Sequence, residues 1–271
     1  MQENKAFQAA AIQMVSGVSV ESNLASARTL IAEAAKAGAQ LVVLPEYFCI
    51  MGRRDTDKLQ FAEAHGSGPI QDFLADQARQ HGLWLFGGTL PLKSQDADRI
   101  YNALLVFDPD GRCRHRYDKI HLFGYRKGDE SYDEAASIRP GQSTASVAQT
   151  TLGKVGLSVC YDLRFPELYR AMGAVDLIVV PSAFTYTTGS AHWEILLRAR
   201  AIENQCYVLA SAQGGKHENG RRTWGHSMLV DPWGKVIASE PEGEAVVLGE
   251  IDPARIEEVR TILPALKHRT M

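Results

Sequence analysis

Short apolar runs alternate with amphipathic segments along the first third of the chain. Residues 8–14, 41–44 and 83–88 are mostly apolar and have the length of buried β-strands. Between these runs, apolar side chains recur every three or four positions over residues 24–35 and 70–80, and a glycine follows each segment. The pattern therefore predicts strands and helices in alternating order.

The same alternation continues to the end of the chain, and two hairpins are added to it. The predicted strands are residues 155–159, 176–180, 207–212 and 245–251, and the predicted helices are residues 165–172, 192–204 and 253–260. Two Asp-Pro-x-Gly sequences, at residues 108–111 and 231–234, predict tight turns between paired strands. Pro181 is expected to end the strand that precedes it.

Continuously apolar strands indicate how the elements are layered. Such strands need cover on both faces, which favours an α/β fold. The two hairpins add antiparallel pairs, so the sheets are expected to be mixed. The 271 residues contain no linker rich in Pro, Gly or Ser, no low-complexity segment and no internal repeat. We therefore predict one domain over residues 1–271.

The amino-acid composition argues against two classes of binding partner, nucleic acids and membranes. The chain has 29 Lys and Arg against 32 Asp and Glu, a formal net charge of −3, which argues against a nucleic-acid partner. No stretch reaches the ~20 apolar residues that span a bilayer, so no membrane partner is expected. Residues 1–5 lack the charged-then-apolar layout of a secretory signal. These features together predict a cytoplasmic protein.

The cysteines and histidines show no spacing typical of disulfides or metal sites. The four cysteines are Cys49, Cys113, Cys160 and Cys206. They form no CxxC pair and are too few for a disulfide framework, so they are expected to stay reduced. The histidines lack ligand spacing such as HExxH, and there is no glycine-rich phosphate loop. No metal and no other cofactor is expected.

Three reactive side chains follow predicted strands. Glu46 follows the second strand, Lys119 follows the first hairpin, and Cys160 follows the strand at residues 155–159. Ligands bind beyond the carboxyl ends of strands in α/β sheets, so these groups could supply a base, an oxyanion partner and a nucleophile. Taken singly, each signal is weak. A cysteine at a strand end is more often a small buried hydrophobe, and charged residues there are usually solvated.

The sequences around these residues, taken in order, resemble those of the nitrilase, or carbon–nitrogen hydrolase, superfamily. The matching segments are residues 44–46 (LPE), 118–123 (DKIHLF), 159–167 (VCYDLRFPE), 181–184 (PSAF), 191–193 (AHW), 198–204 (RARAIEN) and 231–234 (DPWG). The resemblance runs from about residue 9 to residue 251. It implies a four-layer α-β-β-α sandwich with two mixed sheets and a catalytic triad, here Glu46, Lys119 and Cys160.

The superfamily also has a second glutamate, a few residues before a Pro-Gly pair that follows the lysine motif. Residues 140–141 are that pair here. Glu134 has the matching offset, whereas Glu130 lies too far upstream, so Glu134 is the predicted second glutamate. The alternative is that Glu134 is a solvated acid within the acidic stretch at residues 129–134.

These residues predict hydrolysis of an amide through a thioester. Glu46 would take the thiol proton as the sulfur of Cys160 attacks the amide carbon. Lys119 and the backbone N–H of Tyr161 would stabilise the oxyanion. Glu134 would hold Lys119 in place and help to position substrate or water. No further base is required, so His121, which lies within the lysine motif, is expected to be structural.

Arg164 is the predicted substrate-binding residue, because it lies four residues past the nucleophile and a guanidinium suits a carboxylate. Tyr161 is also predicted to bind substrate, and Phe184 and Thr187 are predicted to line the pocket beside Arg164. The alternative for Arg164 is a structural ion pair with Glu167 or Asp162. The expected partner is therefore a small-molecule amide that carries a carboxylate.

Residues 160–164 resemble the ω-amidase-like branch of the superfamily. Further segments resemble the part of it that includes deaminated glutathione amidase, namely residues 184–194, 196–200, 213–217 and 225–228. This implies hydrolysis of deaminated glutathione to 2-oxoglutarate and Cys-Gly. Alternatives are an ω-amidase for 2-oxoglutaramate or 2-oxosuccinamate, an N-carbamoyl-amino-acid hydrolase, a nitrilase, a non-catalytic scaffold, and a redox role for Cys160.

The superfamily resemblance also bears on assembly. Its members commonly pair through helices and the carboxyl-terminal tail, so a homodimer or a higher homo-oligomer is expected. The tail here is residues 261–271.

Overall fold

A computed structural model describes residues 5–128 and 130–270. Residues 1–4, on which the expectation about a secretory signal mostly rests, lie outside this part, as does Met271 at the end of the tail. In chain order the elements are β1 (Phe7–Gln13), α1 (Val20–Lys36), β2 (Ala39–Val43), α2 (Pro69–His81), β3 (Trp84–Phe86), β4 (Leu90–Lys93), β5 (Ile100–Phe107), β6 (Cys113–Asp118), β7 (Gly124–Lys127), β8 (Glu130–Asp133), β9 (Ser146–Thr150), β10 (Gly153–Leu157), α3 (Pro166–Ala171), β11 (Leu177–Ser182), α4 (Tyr186–Asn204), β12 (Tyr207–Ala212), β13 (Gly214–Lys216), β14 (Arg222–Trp224), β15 (Ser227–Val230), β16 (Val236–Glu240), β17 (Ala245–Ile251) and α5 (Pro253–Ile262).

Two mixed sheets form the centre of the molecule. The first has the order β17-β1-β2-β3-β5-β4, with β6 also paired to β5, and its parallel pairs are β1–β2 and β2–β3. The second has the order β16-β15-β12-β11-β10-β9, and its parallel strands are β10, β11 and β12. Parallel strands at the centre and hairpins at the edges agree with the predicted mixture.

Alternate side chains of β1 show how the layers are arranged. Ala9 and Ala11 belong to the core between the two sheets, whereas Ala10 and Ile12 belong to a second core under α1 and α2. On the far side of the second sheet, α3 and α4 bury side chains such as Trp193. The order of layers is therefore helix, sheet, sheet, helix, and the predicted four-layer fold is confirmed.

Two predicted boundaries were wrong. Pro181 does not end its strand, because β11 continues to Ser182 with Pro181 in register with Ser211 of β12. Proline has no N–H to donate to the ladder, but at the penultimate position of a strand only one such bond is lost. Helix α4 begins at Tyr186, six residues before the prediction, with Thr185 as its N-cap. Its first turns hold Thr, Gly and Ser, which are weak helix formers and hid its start.

Several short strands carry no clear sequence signal. Strands β4, β9 and the pairs β7–β8 and β13–β14 each have five residues or fewer. Alternation over so few positions cannot be distinguished from chance. Of the helices within the described ranges, none is both long and apolar enough to cross a membrane.

Candidate active site

Three chain segments bring the predicted catalytic side chains together beyond the strand ends. Glu46 lies three residues after β2, Lys119 comes directly after β6, and Cys160 lies three residues after β10. All three are buried, with exposed fractions of 1%, 0% and 7%. Lys119 Nζ donates to Glu46 Oε1 at 2.8 Å, and the side chains of Glu46 and Cys160 line the same cavity. A thiol, a carboxylate and an ammonium therefore share one enclosed site.

Glu134 belongs to the same cluster. Its carboxylate accepts hydrogen bonds from Lys119 Nζ at 2.7 and 3.0 Å, from the Tyr47 hydroxyl at 2.7 Å and from the Phe123 N–H at 2.7 Å. Glu134 starts a single helical turn, Glu134–Ala136, and its own N–H donates to the Phe123 carbonyl. The chosen glutamate therefore contacts Lys119 and is not a solvated acid.

Hydrogen bonds hold both oxygens of the Glu46 carboxylate in place. Oε1 also accepts from Asn102 Nδ2 at 2.9 Å, and Oε2 accepts from the Ala183 N–H at 2.9 Å. Lys119 follows β6, and its N–H donates to the Asn102 carbonyl on β5. The β5–β6 pair therefore fixes the position of Lys119 relative to Glu46.

The backbone at Cys160 is left-handed, with φ of +48°, which is uncommon for a residue with a side chain. Cys160 starts the helical turn Cys160–Arg164, and the buried carboxylate of Asp162 anchors this turn. Asp162 accepts from the Val159 N–H at 2.8 Å and the Tyr117 hydroxyl at 2.7 Å. His121 Nδ1 lies 2.7 Å from the same carboxylate, which agrees with the predicted structural role of His121.

Burial and neighbouring charges shift the pKa values of Glu46 and Cys160, the two groups that would exchange a proton. Burial raises the pKa of the Glu46 carboxyl, although the Lys119 charge opposes this effect. Burial, and then the negative charge of Glu46, raise the pKa of the Cys160 thiol well above its usual value. The thiol therefore rests in its protonated form, and a base must remove its proton before the sulfur can attack.

Lys119 and Glu134 stay ionised. Burial alone would lower the pKa of the Lys119 ammonium, but the charges of Glu134 and Glu46 outweigh burial and raise it well above the usual value. Burial acts to raise the pKa of Glu134, but the charge and hydrogen bonds of Lys119 outweigh it and lower the pKa. The site therefore contains a permanent cation between two carboxylates.

Two cavities meet at Cys160. The larger has an empty volume of ≈ 560 Å³, and its walls include Glu46, Tyr47, Lys58, Glu134, Cys160 and Arg221. The smaller has an empty volume of ≈ 200 Å³, and its walls include Phe123, Cys160, Tyr161, Arg164, Phe184 and Thr188. A substrate bound at Cys160 can therefore extend in two directions.

Four residues are predicted to contact substrate, Tyr161 through its position next to Cys160 and Arg164, Phe184 and Thr187 as pocket residues, and three of the four lie on the smaller cavity. Tyr161, Arg164 and Phe184 line it, and the Arg164 guanidinium lies 5.8 and 5.3 Å from the ring centres of Tyr161 and Phe184. Thr187 is exposed in the first turn of α4, whereas Thr185 and Thr188 line the cavity. The helix places threonines 185 and 188 on one face, and Thr187 points away from it.

The alternative for Arg164 was an ion pair with an acidic neighbour. Within the described ranges Arg164 forms no ion pair with Asp162 or Glu167, and its Nη1 lies 3.2 Å from His192 Nδ1. Asp162 is instead the partner of His121. The guanidinium of Arg164 is therefore available to a ligand in the smaller cavity.

Sequence reasoning missed the side chains that hold the central carboxylates. Asn102, a polar residue within the apolar strand β5, donates to Glu46, and Tyr47 donates to Glu134. A polar residue in an otherwise apolar strand must find a partner, and this was the signal for Asn102. Tyr47 offered no signal beyond its position next to Glu46. In the described ranges no group of three or more potential metal ligands occurs.

The family follows from a comparison of the whole sequence. Residues 8–261 match the sequence profile described as carbon-nitrogen hydrolase. The chain belongs to the carbon-nitrogen hydrolase family. This carbon-nitrogen hydrolase is 42% identical, over 264 residues, to the deaminated glutathione amidase of Yersinia enterocolitica, and the match covers 96% of this chain and 91% of that protein.

Solved structures agree with the family assignment. The carbon-nitrogen hydrolase superposes with a TM-score of 0.87 on Nit3 of Saccharomyces cerevisiae, a member of branch 10 of the nitrilase superfamily, with 32% identity and coverage of 98% of this chain and 97% of that one. It superposes with a TM-score of 0.78 on an amidase mutant from Nesterenkonia sp. AN1, with 26% identity and coverage of 95% and 98%. In that structure acrylamide has added to the active-site cysteine.

Proposed function

We propose that this enzyme is an amidase that hydrolyses deaminated glutathione through a thioester on Cys160. The observation that carries the proposal is the buried cluster in which Lys119 joins Glu46 and Glu134 beside the thiol. The name of the Yersinia relative supports the substrate, and the cysteine adduct of the Nesterenkonia amidase supports the nucleophile.

The first step transfers the thiol proton to Glu46. The raised pKa of Cys160 keeps the thiol protonated, and the raised pKa of Glu46 makes its carboxylate a stronger base. As the proton moves to Glu46, the sulfur attacks the amide carbon and the C–O double bond becomes an oxyanion. The Glu46 hydrogen bonds from Asn102 and the Ala183 N–H keep its carboxylate oriented during this transfer.

Two donors are suited to stabilise the oxyanion. Lys119 remains an ammonium because both carboxylates surround it. The N–H of Tyr161 lies in the first turn of the segment Cys160–Arg164, where N–H groups have no partner within the turn. A fixed cation and a fixed N–H directed at the oxygen lower the barrier without reorganisation during the reaction.

The second half of the reaction returns the site to its starting state. Protonated Glu46 gives its proton to the amine nitrogen as the C–N bond breaks, which leaves the acyl group on sulfur. Glu46 then accepts a proton from water while the water oxygen attacks the thioester and the C–S bond breaks. The thiolate recovers its proton from Glu46. Glu134 acts through its contacts to Lys119 and helps to position the water.

The smaller cavity suits the acyl part of the substrate. Arg164 would bind the carboxylate of a 2-oxo acid there, and the rings of Tyr161 and Phe184 would pack along the carbon chain. An amide with ammonia as its leaving group, such as 2-oxoglutaramate, presents the same acyl part. 2-Oxoglutaramate is therefore the substrate that distinguishes ω-amidase activity from deaminated glutathione amidase activity.

A panel of four substrates tests the proposal. Product release is measured from deaminated glutathione, 2-oxoglutaramate, an N-carbamoyl amino acid and a simple nitrile, with wild type and Cys160→Ala. We expect deaminated glutathione to have the highest kcat/KM and Cys160→Ala to abolish turnover. A higher kcat/KM for 2-oxoglutaramate would contradict the substrate but not the chemistry. Turnover by Cys160→Ala at the wild-type rate would contradict the thioester.

We further propose that the enzyme acts in the cytoplasm as a homodimer or a higher homo-oligomer. Four cysteines without disulfide bonds are compatible with a reducing compartment. The end of α5 leaves two large apolar side chains in solvent, Ile262 at 64% and Leu263 at 48% exposure. A second copy of the chain would cover them.

A further inference from the structure

Lys58 is a buried lysine on the wall of the larger cavity. It lies in the helical turn Asp57–Phe61, and only 8% of the residue is exposed. Over the described part of the chain it forms no ion pair, and its Nζ lies 5.0 Å from the centre of the Tyr47 ring. Burying an ammonium without a carboxylate partner is costly, so this charge needs a reason.

The nearby carboxylates are already bound to other groups. Asp55 pairs with Arg221, and Glu134 accepts from Lys119 and Tyr47. Lys119, the other buried lysine of the site, contacts two carboxylates directly. Burial accordingly lowers the pKa of Lys58, whereas the pKa of Lys119 is raised. A further anion in the larger cavity would supply the partner that Lys58 lacks.

The larger cavity lies on the side of the leaving amine. Glu46 gives its proton to the departing nitrogen in the proposed reaction, and Glu46 lines the larger cavity together with Lys58. Arg164, which suits the acyl carboxylate, lies on the smaller cavity. A two-residue amine extends at most ~7 Å from its nitrogen, so its terminal carboxylate can bind a side chain that does not touch the scissile bond.

We propose that Lys58 binds a carboxylate carried by the leaving amine, so that the enzyme selects amides with an anionic group on both sides of the scissile bond. This assignment rests on the proposed function and adds the substrate class to it. In deaminated glutathione the group concerned is the terminal carboxylate of the dipeptide. The Tyr47 ring beneath the ammonium also lines the larger cavity, and its cation–π contact attracts Lys58 without neutralising its charge.

Comparing three amides isolates the contribution of the terminal carboxylate to substrate binding. They are deaminated glutathione, its analogue with a terminal carboxamide, and 2-oxoglutaramate. KM and kcat are measured for wild type, Lys58→Met, Lys58→Arg and the matched control Lys36→Met, which alters an exposed lysine on α1. Melting temperatures establish that each variant is folded.

We expect Lys58→Met to raise KM for deaminated glutathione about 10- to 100-fold, the loss of one charge-assisted hydrogen bond. Wild type should show a similar rise when the terminal carboxylate becomes a carboxamide, and Lys58→Met should no longer distinguish these two amides. The loss with 2-oxoglutaramate should be much smaller. Lys58→Arg should recover part of the preference, and Lys36→Met should behave as wild type.

Three outcomes would contradict either the role of Lys58 or the proposed function. If wild type hydrolyses deaminated glutathione but does not distinguish it from the carboxamide, or if Lys58→Met lowers kcat/KM equally for all three amides, Lys58 does not bind this carboxylate. If wild type hydrolyses none of the three, the proposed function fails, and the role of Lys58 fails with it. The wild-type comparison needs no substitution, so the test does not depend on a variant that folds.

Discussion

Lys119 Nζ lies 2.8 Å from Glu46 Oε1, and solvent reaches neither side chain. Removing two charges from water is expensive, and their attraction alone rarely repays the cost. Here the carboxylate of Glu134 and the donors on Asn102 and Ala183 complete the network around the pair. The charges of Lys119, Glu46 and Glu134 therefore stabilise one another.

Loss of the cation should destabilise the fold as well as the reaction. Lys119→Met removes the cation that the buried Glu46 and the partly buried Glu134 share, so we expect a loss of about 3–5 kcal/mol in the free energy of unfolding at neutral pH. Urea denaturation measures this loss. Lys154→Met, at an exposed lysine of β10, is the control and should change stability by less than about 0.5 kcal/mol. Equal stability of both variants would contradict the network.

The pH dependence of the reaction should report Glu46. The active form is its carboxylate, so kcat/KM should be constant near neutral pH and fall as the pH drops through the pKa of Glu46. Burial raises that pKa, so the midpoint of the acid limb should lie above 4.5, the ordinary value of a glutamate. Single-turnover rates across the pH range give the midpoint, and Glu46→Gln should remove most of the rate. A midpoint below 4.5 would refute the role of burial.

Asp162 should control the turn that carries Cys160. Its carboxylate accepts from Val159 and Tyr117 and contacts His121, and it is fully buried. Asp162→Asn keeps the size but weakens these charge-assisted bonds, so we expect kcat to fall about 10- to 100-fold while KM changes little.

The control for this substitution is Tyr117→Phe, which removes only one of the donors to Asp162 and should lower kcat less. Steady-state kinetics of both variants supply the comparison. An Asp162→Asn enzyme with wild-type kcat would show that the turn keeps its geometry without the carboxylate.

The sequence predicted the parts of the site that lie in recognisable segments. Glu46 and Cys160 each follow a strand with a clear apolar run, Lys119 follows the first hairpin, and Glu134 has the offset from a Pro-Gly pair that the superfamily resemblance implies. The α/β class was also predictable, because continuously apolar strands must be covered on both faces, whereas the four-layer order was implied by the superfamily resemblance. These features depend on local pattern and chain order, both of which one sequence contains.

Other parts of the site depend on contacts between distant segments. Lys58 lies in a loop turn without periodicity, and only the fold shows that it is buried near Tyr47 without a carboxylate. Asn102 is 56 positions from Glu46, to which it donates. Thr187 was predicted to line the pocket, whereas Thr185 and Thr188 line it in the structure. The predicted start of α4 was too late, so the sequence did not show which residues of its first turn face the cavity.

Removal of the carboxyl-terminal tail should change the oligomeric state. Ile262 and Leu263 end α5 in solvent, and the tail continues from them. If a second chain covers them, a chain that ends at residue 261 should have the mass of one chain, 29.8 kDa less the deleted residues, whereas the full chain should have a multiple of it. Light scattering after size exclusion measures both masses. Equal oligomeric states would exclude the tail from the interface.

Gly141 contacts the backbone of Lys119, so its substitution should change the geometry of the site. The N–H of Gly141 donates to the Lys119 carbonyl at 2.9 Å, and a Cβ at Gly141 would lie 2.2 Å from the Asp118 carbonyl oxygen. Gly141→Ala must therefore displace the backbone next to Lys119, with a loss of about 1–3 kcal/mol in stability. Because a shift of about 1 Å near reacting groups can cost about 100-fold in rate, kcat should fall far more than stability alone explains. Gly124→Ala is the matched control, since a Cβ there meets no atom within 4 Å. Thermal melting and kcat are measured for both variants, and equal kcat values would show that the backbone at Lys119 does not set the geometry of the site.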